Sequence, residues 1–231
     1  MTIIDIPEGW PADEAAARAV QEELRGRLVT AEEGPPAGTG NVTGVDVAYD
    51  DERDLVAAAA VVLDGRTLDV VEEATAVGRV SFPYVPGLLA FREVPTVLAA
   101  LARLTADPGL LVCDGYGLAH PRRFGLASHL GVVTGRPSIG VAKNPFTFTY
   151  EQPGTARGAF ADLVADGETV GRALRTRAGV KPVFVSVGHR VSLERACAHT
   201  LHLTPRFRLP ETTRHADSLC RRALAEALTA E

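Results

Sequence analysis

Cysteine is scarce. Cys113, Cys197 and Cys220 are the only three in 231 residues, too few and too scattered for a disulfide framework or a cysteine-based zinc site. No stretch approaches the ~18 uninterrupted apolar residues of a membrane-crossing helix. The opening segment MTIIDIPEGWPADEAAARAV lacks a basic start followed by an apolar run, so no secretory signal is expected. A soluble cytoplasmic protein with no membrane partner is the expectation. Neither nucleotide-phosphate loop, GxxxxGKS/T or GxGxxG, occurs. No Ser/His/Asp arrangement is evident, and His120 and His129 lack partners at the spacing of a helical zinc site. Internal repeats and low-complexity tracts are absent.

What remains is ordinary globular material, 46% hydrophobic and 23% charged, of a length that suits one compact domain over residues 1–231. The sequence leaves oligomeric state open, with a monomer as the default. Net charge is −5, unevenly spread. Residues 1–111 carry 8 basic against 19 acidic side chains, and residues 172–231 carry 11 against 5. Phosphate attraction depends on the local field. The basic quarter, with Arg172, Arg175, Arg177, Lys181, Arg190 and Arg195, therefore allows a polyanion-facing surface; arginines that merely solvate helix faces are the alternative.

Residues 12–28 read as an amphipathic helix with Ala16, Val20, Leu24 and Leu28 on one stripe. A core from about 42 to 229 follows. Val42–Tyr49, Leu55–Leu63 and Leu68–Ala76 read as an antiparallel meander with turns at Asp50–Asp54 and Asp64-Gly65. Phe82–Pro86 is a proline-framed loop, and a helix is expected from about Pro95 to Leu104, with proline at its first position. Gly109–Cys113, Pro137–Val141 and Lys181–Val187 are strand candidates, and Leu126–Val133 is helical. A last helix from about Thr213 places Ala216, Leu219, Cys220, Ala223, Leu224 and Ala227 on one face. This is α/β: a mixed sheet, its first three strands antiparallel and the rest parallel, with helices on both faces.

Four acids stand where acids are awkward. Asp46 lies mid-strand in GVDVAYD, pointing away from the face of Val45 and Val47, and a carboxylate there is costly without hydrogen bonds or a cation. Asp114 closes LLVCDG at the carboxyl end of a strand, where open α/β sheets gather ligands. Glu93 precedes the expected helix, and Asp217 lies at the margin of the last helix's apolar face. Glu93 and Asp217 also fit as acids complementing a helix dipole, and Asp114-Gly115 as a plain turn. Four acids without a Cys/His cluster suit Mg²⁺ or Mn²⁺ and phosphoryl transfer.

Pro83-Tyr84-Val85-Pro86 fixes the backbone around an aromatic, and Phe82 is expected to add exposed ring. Such a tip can enter a base stack or fold back onto the core. In DGYGLAHPRRFGLASHLG, Gly115 and Gly117 permit close backbone approach, and His120, Arg122 and Arg123 can meet phosphate. Lys143, in IGVAKN, can supply positive charge.

Together GVDVAY, PYVPGLLAFRE, CDGYGLAHPRRFGLASHLGV, IGVAK, GVKPVFVSVGHRVSLERA and RLPETTRHAD, in that order, resemble endonuclease V of the ribonuclease H-like superfamily. The resemblance implies a Mg²⁺-dependent enzyme, with Mn²⁺ able to substitute, that recognises deoxyinosine in DNA. It implies hydrolysis of the second phosphodiester 3′ to the lesion, leaving 3′-hydroxyl and 5′-phosphate. Asp46, Glu93 and Asp114 would be the catalytic acids, Asp217 a fourth at the metals, and His120 and Lys143 near the scissile phosphate. Tyr84, framed by Pro83, Val85 and Pro86, would be the strand-separating wedge, and Gly115 with Gly117 would line the base pocket. The chain departs from the family in NPFTFTYEQPG after Lys143, where Asn144, Pro145 and Phe146 reshape the pocket rim, and in Arg123, where glycine is common. Inosine-containing single-stranded RNA is an alternative substrate, and a binding module without turnover a third reading.

Overall fold

The computed structural model describes residues 3–4, 8–80 and 82–229. In chain order its elements are β1 (Ile3–Ile4), α1 (Glu14–Arg25), β2 (Asn41–Asp50), β3 (Leu55–Asp64), β4 (Val70–Arg79), α2 (Ala90–Leu101), β5 (Leu110–Cys113), α3 (Leu126–Thr134), β6 (Ser138–Ala142), β7 (Phe160–Ala165), β8 (Glu168–Leu174), β9 (Val183–His189), α4 (Leu193–His202) and α5 (Glu211–Thr229). The strands form one sheet in the order β1-β4-β3-β2-β5-β6-β9-β8-β7. β2, β3 and β4 are the expected antiparallel meander. β5 and β6 then add in parallel, after which β9, β8 and β7 return to antiparallel pairing.

The sheet is covered on both faces. Ala58, Ala60, Val45 and Leu111 pack against Val94, Val97 and Ala100 of α2 and Leu130 of α3. The alternate positions Ala59, Val61, Val42 and Val112 meet Ala196 of α4 and Ala216, Leu219 and Cys220 of α5. The alanine run of β3, buried from Leu55 to Leu63, follows from this: small side chains on a central strand let helices approach from both sides.

Several elements differ from the expectation. The buried stripe of α1 is Ala17, Gln21 and Leu24, one residue out of step with Ala16 and Val20. α2 begins at Ala90, so Glu93 lies in its first turn and Pro95 inside it. Proline there removes the donor that the carbonyl of Phe91 would receive; the indole N–H of Trp10 supplies it instead, at 2.9 Å. Phe82 is not exposed but buried against Phe91, ring centroids 5.7 Å apart. β7 and β8 were not anticipated, because an edge hairpin alternates too weakly in hydrophobicity, although Asp166-Gly167, both at positive φ, is a legible hairpin turn. α4, capped by Ser192, was also missed.

Candidate active site

The parallel register of β2 and β5 aligns Val45 with Cys113, so the next residue on each strand, Asp46 and Asp114, falls on one rung and one face. β6 ends at Ala142 beside them, and Lys143 follows immediately. Its Nζ lies 2.5 Å from Asp114 Oδ2. α5 reaches the same face because Gly44 has no side chain: a Cβ there would stand 2.2 Å from the Thr212 carbonyl oxygen. That contact seats the start of α5 against β2 and brings Asp217, one and a half turns on, toward Asp46. From the other face, Glu93 on α2 accepts a hydrogen bond from the Tyr49 hydroxyl at 3.0 Å.

These groups feel one another. Burial and then the charge of Asp114 push the Asp46 carboxyl up to about 7, against the stabilising N–H of Val47. Burial pushes Glu93 up to about 8; the Tyr49 hydroxyl opposes this, while Asp46 and Asp114 add to it. Asp217 is held below the usual carboxylate range by its hydrogen bonds from Arg221, at 3.0 and 2.9 Å. Burial works against the Lys143 ammonium, but its hydrogen bond to Asp114 and the charges of Asp114, Asp46 and Asp217 hold its pKa above that of an ordinary lysine. Asp46 and Glu93, raised by burial and by neighbouring carboxylates, and the other two acids are all hard oxygen donors, which fits a divalent cation of the Mg²⁺ type. Among the described residues no three His, Cys, Asp or Glu side chains stand close enough to form a finished ligand set. Lys143 pairs with Asp114 and Arg221 with Asp217.

Beside the acids opens a cavity of about 190 Å³ lined by Asp114, Gly115, Tyr116, His120, Tyr84 and Phe146, among others. The loop carrying Gly115 and Gly117 crosses tightly over β9: a Cβ at Gly117 would fall 1.9 Å from the Val187 carbonyl oxygen, and the Gly117 N–H donates to Ser186 Oγ at 2.9 Å. His120 is buried in the wall, its Nδ1 accepting the Arg122 N–H at 3.2 Å. Burial, then the Arg122 charge, depress its pKa to about 4, so the ring is neutral at neutral pH. The loop around Pro83, Val85 and Pro86 overhangs the cavity, with Tyr84 at its apex 69% exposed. The tyrosine does not fold back onto the core.

Thus the fold gathers Asp46, Glu93, Asp114, Asp217 and Lys143 at one end of the sheet, and His120, Gly115 and Tyr84 around the adjoining cavity. Other candidates go elsewhere. Arg123 is held by Asp166, Glu168 and the Ala165 carbonyl and fastens the glycine loop to the β7–β8 hairpin rather than facing phosphate. In the basic quarter, Arg172 pairs with Asp162 and Glu194, Arg190 with Glu32, and buried Arg175 binds the carbonyls of Gly154, Pro153 and Val180. Of these, Arg175 is built into the fold, while Arg172 and Arg190 are held in ion pairs at the surface.

Sequence reasoning missed Tyr49, Tyr116 and Arg208. Tyr49 had a signal, standing in the strand that carries Asp46 but on the opposite face. Tyr116 stacks on Phe146, centroids 5.7 Å and planes 14° apart. Arg208 grips the carbonyls of Lys143, Pro182 and Lys181 at 2.6, 2.8 and 3.0 Å, fixing the exit of β6; nothing in the sequence joins residues so distant.

A family model described as Endonuclease V matches residues 22–218. An Endonuclease V of Streptomyces avermitilis is 76% identical, covering 98% of this chain and 99% of its own. A crystal structure of the Streptomyces avermitilis protein superposes with a TM-score of 0.97 at 75% identity, covering 98% of this chain and 100% of the other. Endonuclease V of Ciona intestinalis, solved with a 24mer DNA containing an inosine followed by a ribo-adenosine, gives a TM-score of 0.81 at 30% identity, covering 92% and 98%.

Proposed function

Because the chain belongs to the endonuclease V family, we propose that it is a metal-dependent repair nuclease that recognises deoxyinosine in DNA and hydrolyses the second phosphodiester on its 3′ side. The observation that carries this reading is the placement of Asp46 and Asp114 on one rung of the sheet, with Glu93 close enough to feel both charges, directly beside a cavity that Tyr84 overhangs.

Asp46, Asp114 and Glu93 would hold the cation, with Asp217 at the margin. Mg²⁺, or Mn²⁺ in its place, supplies activation of the attacking water and neutralisation of charge at the leaving oxygen. The remaining work belongs to the chain. Lys143 offers an ammonium at the acid cluster, poised to pass from Asp114 to a phosphate oxygen. Tyr84 enters the base stack, so that the lesion base turns out into the cavity. Hypoxanthine differs from adenine in carrying a carbonyl in place of the exocyclic amine, which a backbone N–H near Gly115 can read. The neutral His120 ring forms an uncharged wall beside it. A weakly paired base also costs less to extrude, which adds selectivity without contacts.

The test is a map of cleavage positions on one labelled inosine duplex, with and without Mg²⁺. A single cut at the second 3′ phosphodiester, dependent on the ion and lost in Asp46→Ala, is expected. Binding without cleavage in Mg²⁺ or Mn²⁺ would establish a binding module instead. The ribo-adenosine beside the inosine in the Ciona intestinalis complex favours a second reading, an inosine-directed ribonuclease. Paired assays on inosine DNA and inosine single-stranded RNA separate the two.

A further inference from the structure

Gln21 is the most buried polar residue of α1, at 2% exposure, and it stands on the helix's apolar stripe between Ala17 and Leu24. A glutamine there must satisfy its amide within the protein. Its Nε2 donates to the Phe124 carbonyl at 2.8 Å and to the Gly87 carbonyl at 3.3 Å. Its Oε1 accepts from Arg122 Nε, and Arg122 Nη2 donates to the same Gly87 carbonyl at 2.6 Å. One side chain thus joins three segments distant in sequence: α1, the residue directly after Pro86, and the far end of the glycine loop. The other end of the overhanging loop is tied separately, through Arg92 to the Phe82 carbonyl at 3.3 Å.

We propose that Gln21, with Arg122, is a positioning couple that fixes the height of Tyr84 over the cavity, so that opening the stack and receiving the extruded base are one geometric event. The inference rests on the wedge reading of Tyr84. A loop that pries bases apart must resist displacement at its apex. Its buried anchors, Phe82 and Leu88, are apolar and set no lateral position. Directional hydrogen bonds to the Gly87 carbonyl do, and holding the productive geometry beforehand avoids ordering the loop during binding. The bonds run to the pocket loop as well as to the wedge loop, which a side chain serving only to dock α1 does not need.

Two substitutions test it. Gln21→Leu removes all three bonds of the glutamine side chain and leaves Arg122 without the acceptor that orients it toward Gly87; Gln21→Glu keeps the acceptor for Arg122 and removes the donors to Gly87 and Phe124. Amide hydrogen exchange on the whole protein is the readout independent of turnover. The N–H of Leu88, bonded to Val85, and that of Gly125, bonded to Gly117, are expected to exchange tenfold or more faster in both variants, while amides within α1 keep their protection. Unchanged exchange at Leu88 and Gly125, or equal acceleration all along α1, overturns the proposal. On substrates with Mg²⁺, both variants are expected to lose at least tenfold more kcat/KM on inosine duplex than on inosine single strand. Equal losses on the two, from a wild type that cleaves both, also overturn it. A wild type that cleaves neither defeats the functional reading alone, and the exchange result still decides the couple.

Discussion

Lys143 Nζ sits 2.5 Å from Asp114 Oδ2, joining the residue after β6 to the residue after β5. The contact is a lysine acting as the local counter-ion of a crowded acid site. Lys143→Met leaves Asp114 without that partner and removes the charge offered to phosphate. Its kcat on an inosine duplex is expected to fall on the order of 10²-fold, with the thermal midpoint nearly unchanged because the pair is partly solvated. Single-turnover cleavage beside a melting curve checks both; a rate within threefold of wild type would remove Lys143 from the chemistry.

Tyr84 is exposed and framed by prolines, so its ring contributes little to folding. Tyr84→Ala is expected to weaken cleavage of duplex inosine by tenfold or more and of single-stranded inosine far less, since only the duplex has a stack to open. Competition assays on the two substrates measure the ratio. Equal losses would contradict the wedge.

Arg175 carries its charge into the protein, where three carbonyls receive it. Arg175→Ala strips those acceptors of their donors and is expected to destabilise by about 2–4 kcal/mol, read as a lower urea midpoint. The salt dependence of DNA binding by the folded variant should stay as in wild type, because this guanidinium faces no phosphate. A shallower salt slope would return the arginine to the DNA surface.

His129 is buried among Trp10, Phe91 and Phe124, and burial depresses its pKa to about 4. An unfolded histidine titrates near 6.5. Between these values the unfolded chain binds the extra proton, so stability contributed by the neutral ring is whole above about pH 6.5 and drains as pH falls toward 4, by up to about 3 kcal/mol. His129→Phe is expected to flatten that acid limb relative to wild type. The comparison is made as a difference because Asp46 and Glu93, whose pKa values are raised, act with the opposite sign in both proteins. Parallel acid limbs in urea titrations at pH 7 and pH 5 would show that His129 does not set the slope.

The candidate site was legible where chemistry is written locally. A mid-strand aspartate violates a folding preference, a strand ending in Asp-Gly and a tyrosine between prolines are local signals, and each marks a residue the fold brings to one region. Phe82 misled because a ring beside an exposed loop gives no sign of which way it turns. Pro95 misled because proline usually opens a helix; only the indole of Trp10, 85 residues earlier, lets it sit inside one. The basic quarter stayed open in the sequence because charge counts ignore partners, and the fold gives carboxylate or carbonyl partners to Arg172, Arg175, Arg190 and Arg195.

By itself the sequence determined the strands β2 and β3, the apolar stripe of α5 and the positions of the acids along them, while the exposure of Tyr84, like the burial of Phe82, was left to the tertiary structure. These depend on periodicity and backbone stereochemistry, which act over a few residues. Tertiary structure alone decided that Val45 lies opposite Cys113, that α5 presses on Gly44, and that Gln21 spans to Gly87 and Phe124. Such contacts join segments tens of residues apart, and their geometry is fixed by which faces pack together once the core closes.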